Sequence, residues 1–191
     1  MRHMKVLLIG IASAAMATAA IAAPDSETLL MRHPDISGGR IGFIYADRLW
    51  VADATGADPR QIEVPGSELN RVRFSPDGQW IALSAKVDGN ADVYIVPADG
   101  GTPAKRLTHH PAADLVVDWR PDGKAVLFAS TMTSPRATYN QFHTIDVAGG
   151  LPQRLPLPYG ETAAYVQGGK ALDFTYLRDF QEEAWKRYYG G

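Results

Sequence analysis

Three groups of residues in this chain are of types that do chemistry. His109-His110-Pro111, with Asp114 four residues beyond His110, has the composition of a metal cluster. Adjacent side chains on an extended chain point to opposite sides, so the two histidines chelate one ion poorly, and no His-Glu-x-x-His stretch is present. Asp88-Gly89-Asn90-Ala91-Asp92 has the spacing of the first half of a calcium loop. Such a loop needs Gly at its sixth position and Glu at its twelfth, where this chain has Val93 and Asp99. Val93 also opens an apolar run, so a tight turn accounts for the motif. His33, His143 and the many Ser and Asp residues are of the right types for nucleophilic catalysis. No Gly-x-Ser-x-Gly elbow or Ser-x-x-Lys element orders them, so any triad drawn from them is arbitrary. The residues therefore assign no catalytic group, no metal ligand and no cofactor, and they leave substrate-binding positions unknown.

The positioning elements begin with what composition allows. The chain has 191 residues, 46% of them hydrophobic, and a formal charge of −2, which argues against a nucleic-acid partner bound by phosphate neutralisation. It contains no Cys, which excludes disulfide scaffolds, thiolate zinc sites and cysteine nucleophiles. Eighteen Gly and 13 Pro favour a turn-rich β protein. The basic-aromatic cluster Trp185-Lys186-Arg187-Tyr188-Tyr189 resembles a single-strand nucleic-acid platform, but it stands alone in an acidic chain. The spacing of Glu182-Lys186 and Glu183-Arg187 suits a short helix over residues 179–189.

Arg2 and Lys5 precede an uncharged stretch, residues 6–23, that ends in Ala20-Ile21-Ala22-Ala23, and Pro24-Asp25 then opens a polar segment. This is the pattern of a cleaved export signal over residues 1–23. A stable membrane span is the weaker interpretation, because 18 residues rich in Ala bury little hydrocarbon. Taking Arg2 and Lys5 from the 19 basic residues leaves 17 against 21 acidic ones, so the mature chain carries −4 and is expected in a periplasm or outside the cell.

Repeats set the architecture. Phe74-Ser75-Pro76-Asp77-Gly78 recurs as Trp119-Arg120-Pro121-Asp122-Gly123 and, degraded, as Tyr165-Val166-Gln167-Gly168-Gly169. Gly100-Gly101 recurs at Gly149-Gly150, and Arg106-Leu107 at Arg154-Leu155. A poorer first copy runs from Pro34-Asp35 through Gly39 to Arg48-Leu49-Trp50-Val51-Ala52-Asp53. Several markers keep one order at a period in the mid-forties, the length of a four-stranded propeller blade. Trp80-Ile81-Ala82-Leu83, Val93-Tyr94-Ile95-Val96 and Ala125-Val126-Leu127-Phe128 are apolar at consecutive positions, so both faces need cover. Blades stacked between neighbours supply it, whereas a two-sheet sandwich would alternate polar and apolar residues.

The fold class expected is all-β, an incomplete β-propeller of about three and a half four-stranded antiparallel blades. Residues 24–66, 67–110 and 111–158 make blades 1 to 3, and residues 159–191 begin a fourth. Propellers close with four to eight blades, so two flanks stay open. An apolar flank of about 500 Å² withholds about 12 kcal/mol at about 25 cal/mol per Å², comparable with the net stability of a whole domain. The expected partners are thus the remaining blades of a longer protein or another protein chain.

Pro34-Asp35-Ile36-Ser37-Gly38 with Leu49-Trp50-Val51, Phe74-Ser75-Pro76-Asp77-Gly78 with Asp88-Gly89-Asn90-Ala91-Asp92-Val93-Tyr94, and His110-Pro111 with Trp119 and Pro121-Asp122-Gly123 resemble the N-terminal propeller of tricorn-like serine peptidases. The closing Trp185-Lys186-Arg187-Tyr188-Tyr189-Gly190-Gly191 is similar to that family's entry into its next blade. The Ser-Pro-Asp-Gly element by itself is shared with TolB-like propellers. The resemblance implies a hydrolase with propeller, PDZ-like and catalytic domains, in which the propeller governs peptide access to a distant serine. No position of this chain matches that serine or its partners. The resemblance thus implies a non-catalytic, peptide-gating segment that is inactive alone. The alternative is a stand-alone TolB-like periplasmic interaction module. One expectation is directly measurable: Edman sequencing of the protein recovered from the periplasm of an expressing Gram-negative host should begin at Ala23 or Pro24, and an intact Met1 terminus there would refute export by cleavage.

Overall fold

The computed structural model describes residues 30–135 and 138–176. Strands β1 (Arg32–Ser37), β2 (Arg40–Tyr45), β3 (Arg48–Asp53) and β4 (Arg60–Ile62) form a first sheet in that order. The second sheet holds β5 (Ser67–Phe74), β6 (Trp80–Val87), β7 (Asn90–Pro97) and β8 (Lys105–Arg106). The third holds β9 (Asp114–Trp119), β10 (Ala125–Ser130), β11 (Gln141–Asp146) and β12 (Gln153–Arg154). Two further strands, β13 (Gly160–Val166) and β14 (Ala171–Tyr176), form a hairpin around one 3-10 turn, Gln167–Gly169. Neighbouring strands pair antiparallel throughout. The described residues are thus three four-stranded blades and half of a fourth, an open propeller as the repeats implied. The export signal expected over residues 1–23, the helix expected over residues 179–189 and the terminal Trp-Lys-Arg stretch lie outside the described residues.

Consecutive apolar residues are explained by where each face goes. Ile81, Leu83, Ala85, Tyr94 and Val96 pack into a core shared with Leu49, Val51 and Ile62 of the first sheet. Their immediate neighbours Ala82, Val93 and Ile95 pack the other way, onto Val116, Val126 and Phe128 of the third sheet. The third sheet repeats the pattern: Val126 and Phe128 face back, while Leu127, Ala129 and Phe142 face Ala163, Tyr165, Leu172 and Phe174. Each middle sheet is therefore buried on both faces, which period-two side-chain alternation permits only with a neighbour on each side.

The recurring Pro-Asp-Gly elements are the turns from first to second strand. Gly78 N–H donates to Ser75 O and Gly123 N–H to Arg120 O, both at 2.8 Å, closing four-residue turns. Asp77 accepts from the Ser75 hydroxyl at 2.5 Å and from Gln79 N–H at 3.0 Å, and Asp122 accepts from Arg120 Nε at 2.8 Å and from Lys124 N–H at 3.0 Å.

The two flanks differ from each other. On the first sheet, Ile41, Phe43, Tyr45 and Trp50 are half-buried and alternate with the core-facing Ile44, Leu49 and Val51, an apolar outer face of the kind expected. On the last hairpin the outward positions are Thr162, Ala164, Val166, Asp173 and Thr175, all exposed. Thr162 and Thr175 join hydroxyls at 2.7 Å. This face is more polar than the flank argument assumed, because the hairpin alternates polar and apolar residues where the middle blades do not.

Between the second and third sheets lies a buried polar layer that sequence patterning did not show. Asp92 is fully buried and pairs with Arg106 Nη2 at 2.7 Å. Ser84 bridges blades, accepting from Val116 N–H at 2.8 Å and donating to Asp114 O at 3.0 Å. Asp114 is fully buried, and neither carboxylate oxygen has a hydrogen-bond partner at direct distance. Burial pushes its carboxyl above the ordinary 3.8 and Asp92 adds repulsion, while the Ser130 and Thr108 hydroxyls and His110 act in the opposite direction. An acid with a raised folded-state pKa stabilises fully below its unfolded value and loses that contribution as pH rises through the folded value. Asp114→Asn should therefore raise stability at pH 7 by about 1–2 kcal/mol, the order of an uncompensated buried polar group. In urea titrations the gain should shrink toward zero as pH falls to 3.8, and a pH-independent difference would refute this.

Candidate functional site

The first strands of successive sheets lie against one another, β1 on β5, β5 on β9 and β9 on β13, while the short fourth strands sit at the far edge of each sheet. That arrangement places the first strands along the propeller axis. The register pairs Ile36 with Ile41, Phe74 with Ile81, Trp119 with Val126 and Tyr165 with Leu172, so Asp35, Arg73, Asp118 and Ala164 occupy equivalent positions. Three of them tie one blade to the next. Asp35 accepts from Phe74 N–H at 2.7 Å, and Asp118 accepts from Tyr165 N–H at 3.1 Å. Arg73 inverts the polarity, donating through Nε to Val117 O at 3.1 Å and accepting at its own carbonyl from Trp119 Nε1 at 3.0 Å. The Arg40 guanidinium adds a hydrogen bond to Gly78 O and stands over the Phe74 ring, 5.7 Å from its centroid.

Two cavities open on these strands. One, of about 550 Å³, is an axial groove touched by all four first strands, with Asp35, Ile36, Arg73, Val117, Asp118 and Ala163 in its wall. The other, of about 540 Å³, lies between β1 and β5 and is lined by Arg32, His33, Asp47, Glu68, Asn70, Arg71 and Leu115. Its backbone is irregular. The β1–β2 register shifts between Arg32 and Asp35, and the β5–β6 register shifts on both sides of Asn70. His33, Glu68 and Arg71 have φ of 51°, 49° and 60°, left-handed values unusual for residues with side chains. Bulges of this kind re-aim side chains. Burial holds the His33 imidazole below its ordinary 6.5, and Arg32, Arg71 and Arg73 push it the same way.

The residues singled out by type are not brought together into a reactive centre. His109 is exposed and His110 half-buried, as opposed directions require. His110 accepts from Ala112 N–H at Nδ1, 3.0 Å away, and its carbonyl accepts from Asn90 Nδ2 at 2.7 Å. Asp88 and Gly89 form the β6–β7 turn with φ of 52° and 87°, and Asp92 is committed to Arg106, so the Asp-Gly-Asn-Ala-Asp motif is a turn and an ion pair. His143 is buried with its ring stacked 5.4 Å from Phe128, Nε2 2.9 Å from Thr133 Oγ1 and Nδ1 3.0 Å from Gln141 O. Burial pushes it below 6.5 as well. Among the described histidines, His33 is the one that lines the cavity between β1 and β5. Its neighbours Glu68 and Arg71 carry no sequence signal, because nothing in their residue types specifies left-handed backbone.

Comparison with known proteins agrees with this geometry. Residues 28–191 match the model of the tricorn protease N-terminal beta propeller domain. Tricorn protease homolog 1 of Streptomyces coelicolor is 31% identical over 162 residues, which cover 84% of this chain and 15% of that protein. The putative tricorn-like protease N-terminal subunit of Sulfurisphaera tokodaii is 25% identical over 165 residues, covering 83% of this chain and 80% of that one. The crystal structure of the tricorn protease superposes with a TM-score of 0.64 at 25% identity, over 73% of this chain and 14% of the solved one. With its repeated turns, its doubly buried middle blades and a family match over most of its length, the chain belongs to the tricorn protease N-terminal β-propeller family.

Proposed function

We infer that the chain is the propeller module of an exported tricorn-like serine peptidase, where it has a structural and peptide-gating role and supplies no catalytic residue. The observation that carries this is the axial groove: four first strands from four successive sheets border it, and it lies on the chain that matches the peptidase propeller. Its wall mixes apolar Ile36, Val117 and Ala163 with charged Asp35, Arg73 and Asp118, a lining suited to extended peptide rather than to one rigid small molecule. The groove charges are already spent on inter-blade bonds, so the groove guides without doing acid–base work.

A second arrangement of the same role has support. The Sulfurisphaera relative is by its name an N-terminal subunit, and this chain matches 80% of its length. A propeller acting in trans, joined to the peptidase through its flanks, fits the apolar outer face of the first sheet.

Two measurements test the proposal. The full chain, incubated with fluorogenic oligopeptides, should give no turnover and should not be labelled by a fluorophosphonate. Fluorescence anisotropy should nevertheless show weak binding of unstructured peptides. Serine-directed labelling with peptide hydrolysis would overturn the non-catalytic role, and absence of peptide binding by the folded chain would overturn gating.

A further inference from the structure

We propose that the cavity between the second and third sheets, beside the β5–β6 turn, is a guanidinium-binding pocket that takes the side chain of an arginine in a bound peptide. The proposal rests on the peptide-facing role inferred above and adds the side chain that such a peptide must carry.

The cavity, of about 260 Å³, is lined by Ser75, Asp77, Trp80, Lys105, Trp119 and Gly123 among others. Ser75 also borders the axial groove, so the two openings share a residue. The size falls below the about 300–1,000 Å³ of pockets for drug-sized ligands and suits a single side chain.

The neighbouring blade boundaries show what belongs there. Arg40, Trp80 and Ala125 directly precede Ile41, Ile81 and Val126, the partners of Ile36, Phe74 and Trp119, and so occupy equivalent positions. At the first boundary the Arg40 guanidinium crosses to the second sheet, lies over the Phe74 ring and donates to Gly78 O. At the third, Arg120 lines the corresponding cavity with Ala125 and Gln153, and its Nε donates to Asp122 at 2.8 Å. Two boundaries thus hold a guanidinium, one on an aromatic ring and a carbonyl, the other on a carboxylate.

The second boundary has all three acceptors and no guanidinium. Trp119 stands where Phe74 does, Gly123 where Gly78 does and Asp77 where Asp122 does, while Trp80 and Ser75 replace the two arginines. Asp77 accepts from Ser75 and Gln79 through Oδ1, and Oδ2 has no donor among the described residues. The Ser75 hydroxyl and then Gln79 N–H hold this carboxyl below its ordinary 3.8, so it is charged at neutral pH. A side-chain carbon placed at Gly78 would meet Ser37 Oγ at 3.0 Å and Arg40 Nη2 at 3.4 Å, whereas at Gly123 it would meet only Pro76 Cδ, at 4.0 Å. The space that Arg40 fills is open one blade later. Trp80 is 38% exposed, and an indole face beside a carboxylate suits a planar, forked cation. Lys105 does not compete for Asp77, because its Nζ donates to Val147 O at 2.8 Å and Ala148 O at 2.9 Å. Its equivalent Arg60 donates to Ala98 O at the boundary that also holds Arg40, so two cations are compatible there.

The test is fluorescence anisotropy on the full chain with labelled, N-acetylated and amidated pentapeptides that differ only in a central Arg, citrulline, Lys or Leu. The Arg peptide should bind about tenfold more tightly than the uncharged citrulline peptide, the scale of a charge-assisted hydrogen bond. Lys should fall between them, because an ammonium cannot stack and fork as a guanidinium does. Asp77→Asn should abolish the preference. Trp80→Arg should abolish it too, by supplying from within the group that Arg40 supplies one blade earlier. Asp173→Asn, which removes the same charge from the last hairpin, should leave it intact. Circular dichroism establishes that each variant is folded, and if Asp77→Asn does not fold, Trp80→Arg and the Arg–Lys difference decide. An Arg preference that survives in folded Asp77→Asn or folded Trp80→Arg refutes the pocket. Equal binding of the Arg and citrulline peptides, or of the Arg and Lys peptides, also refutes it while leaving peptide gating standing, whereas no binding of any peptide removes both.

Discussion

The whole structure depends on burying both faces of each middle sheet. Leu83 and Tyr94 pair across strands and face one neighbour, while Ala82 and Ile95, one step along, pair and face the other. Stability therefore resides between blades more than within them, and no single sheet is a folding unit in its own right. The polar ties follow the same rule. Asp35, Arg73 and Asp118 each spend their side chains on a neighbouring blade, so the first strands are joined near the axis by bonds that repeat with the blade period.

Fixing the first strands to one another has a cost that falls at the cavity between β1 and β5. Four lining residues with side chains, His33, Asp47, Glu68 and Arg71, adopt left-handed backbone there, and the strand register is broken on both sides of Asn70. Each such residue is strained by about 1 kcal/mol or more, and the surrounding cores must hold it in place. Strain and a cavity coincide at one point of the arc. Asp35, Arg73 and Asp118 of the inner strands are instead consumed in assembly.

Much of the fold was legible because the repeat is carried by turn chemistry. Ser75-Pro76-Asp77-Gly78 and Arg120-Pro121-Asp122-Gly123 make the same turn through the same backbone bond, and side-chain types alone announce it. The runs Ile81-Ala82-Leu83 and Val126-Leu127-Phe128 announced double burial because they do not alternate. The axial site was not legible. Arg71 sits in an ordinary stretch, Asn70-Arg71-Val72-Arg73, and nothing in those letters specifies a bulge with positive φ. Asp114 is similarly opaque: its type and its place near His110 in the sequence suit a metal ligand, whereas its surroundings are the Ser130 and Thr108 hydroxyls inside an inter-blade layer. The last hairpin departs from the doubly buried pattern, since it alternates and its Thr162, Asp173 and Thr175 make one face polar.

Amide hydrogen exchange of the full chain, read by mass spectrometry, tests most directly whether inter-blade burial governs this molecule. Amides of β6, β7 and β10 should exchange slowest, those of β2 and β3 faster, and those of β13 and β14 faster still, following how many faces of each sheet are covered. Uniform protection across the first, middle and last sheets would contradict the account.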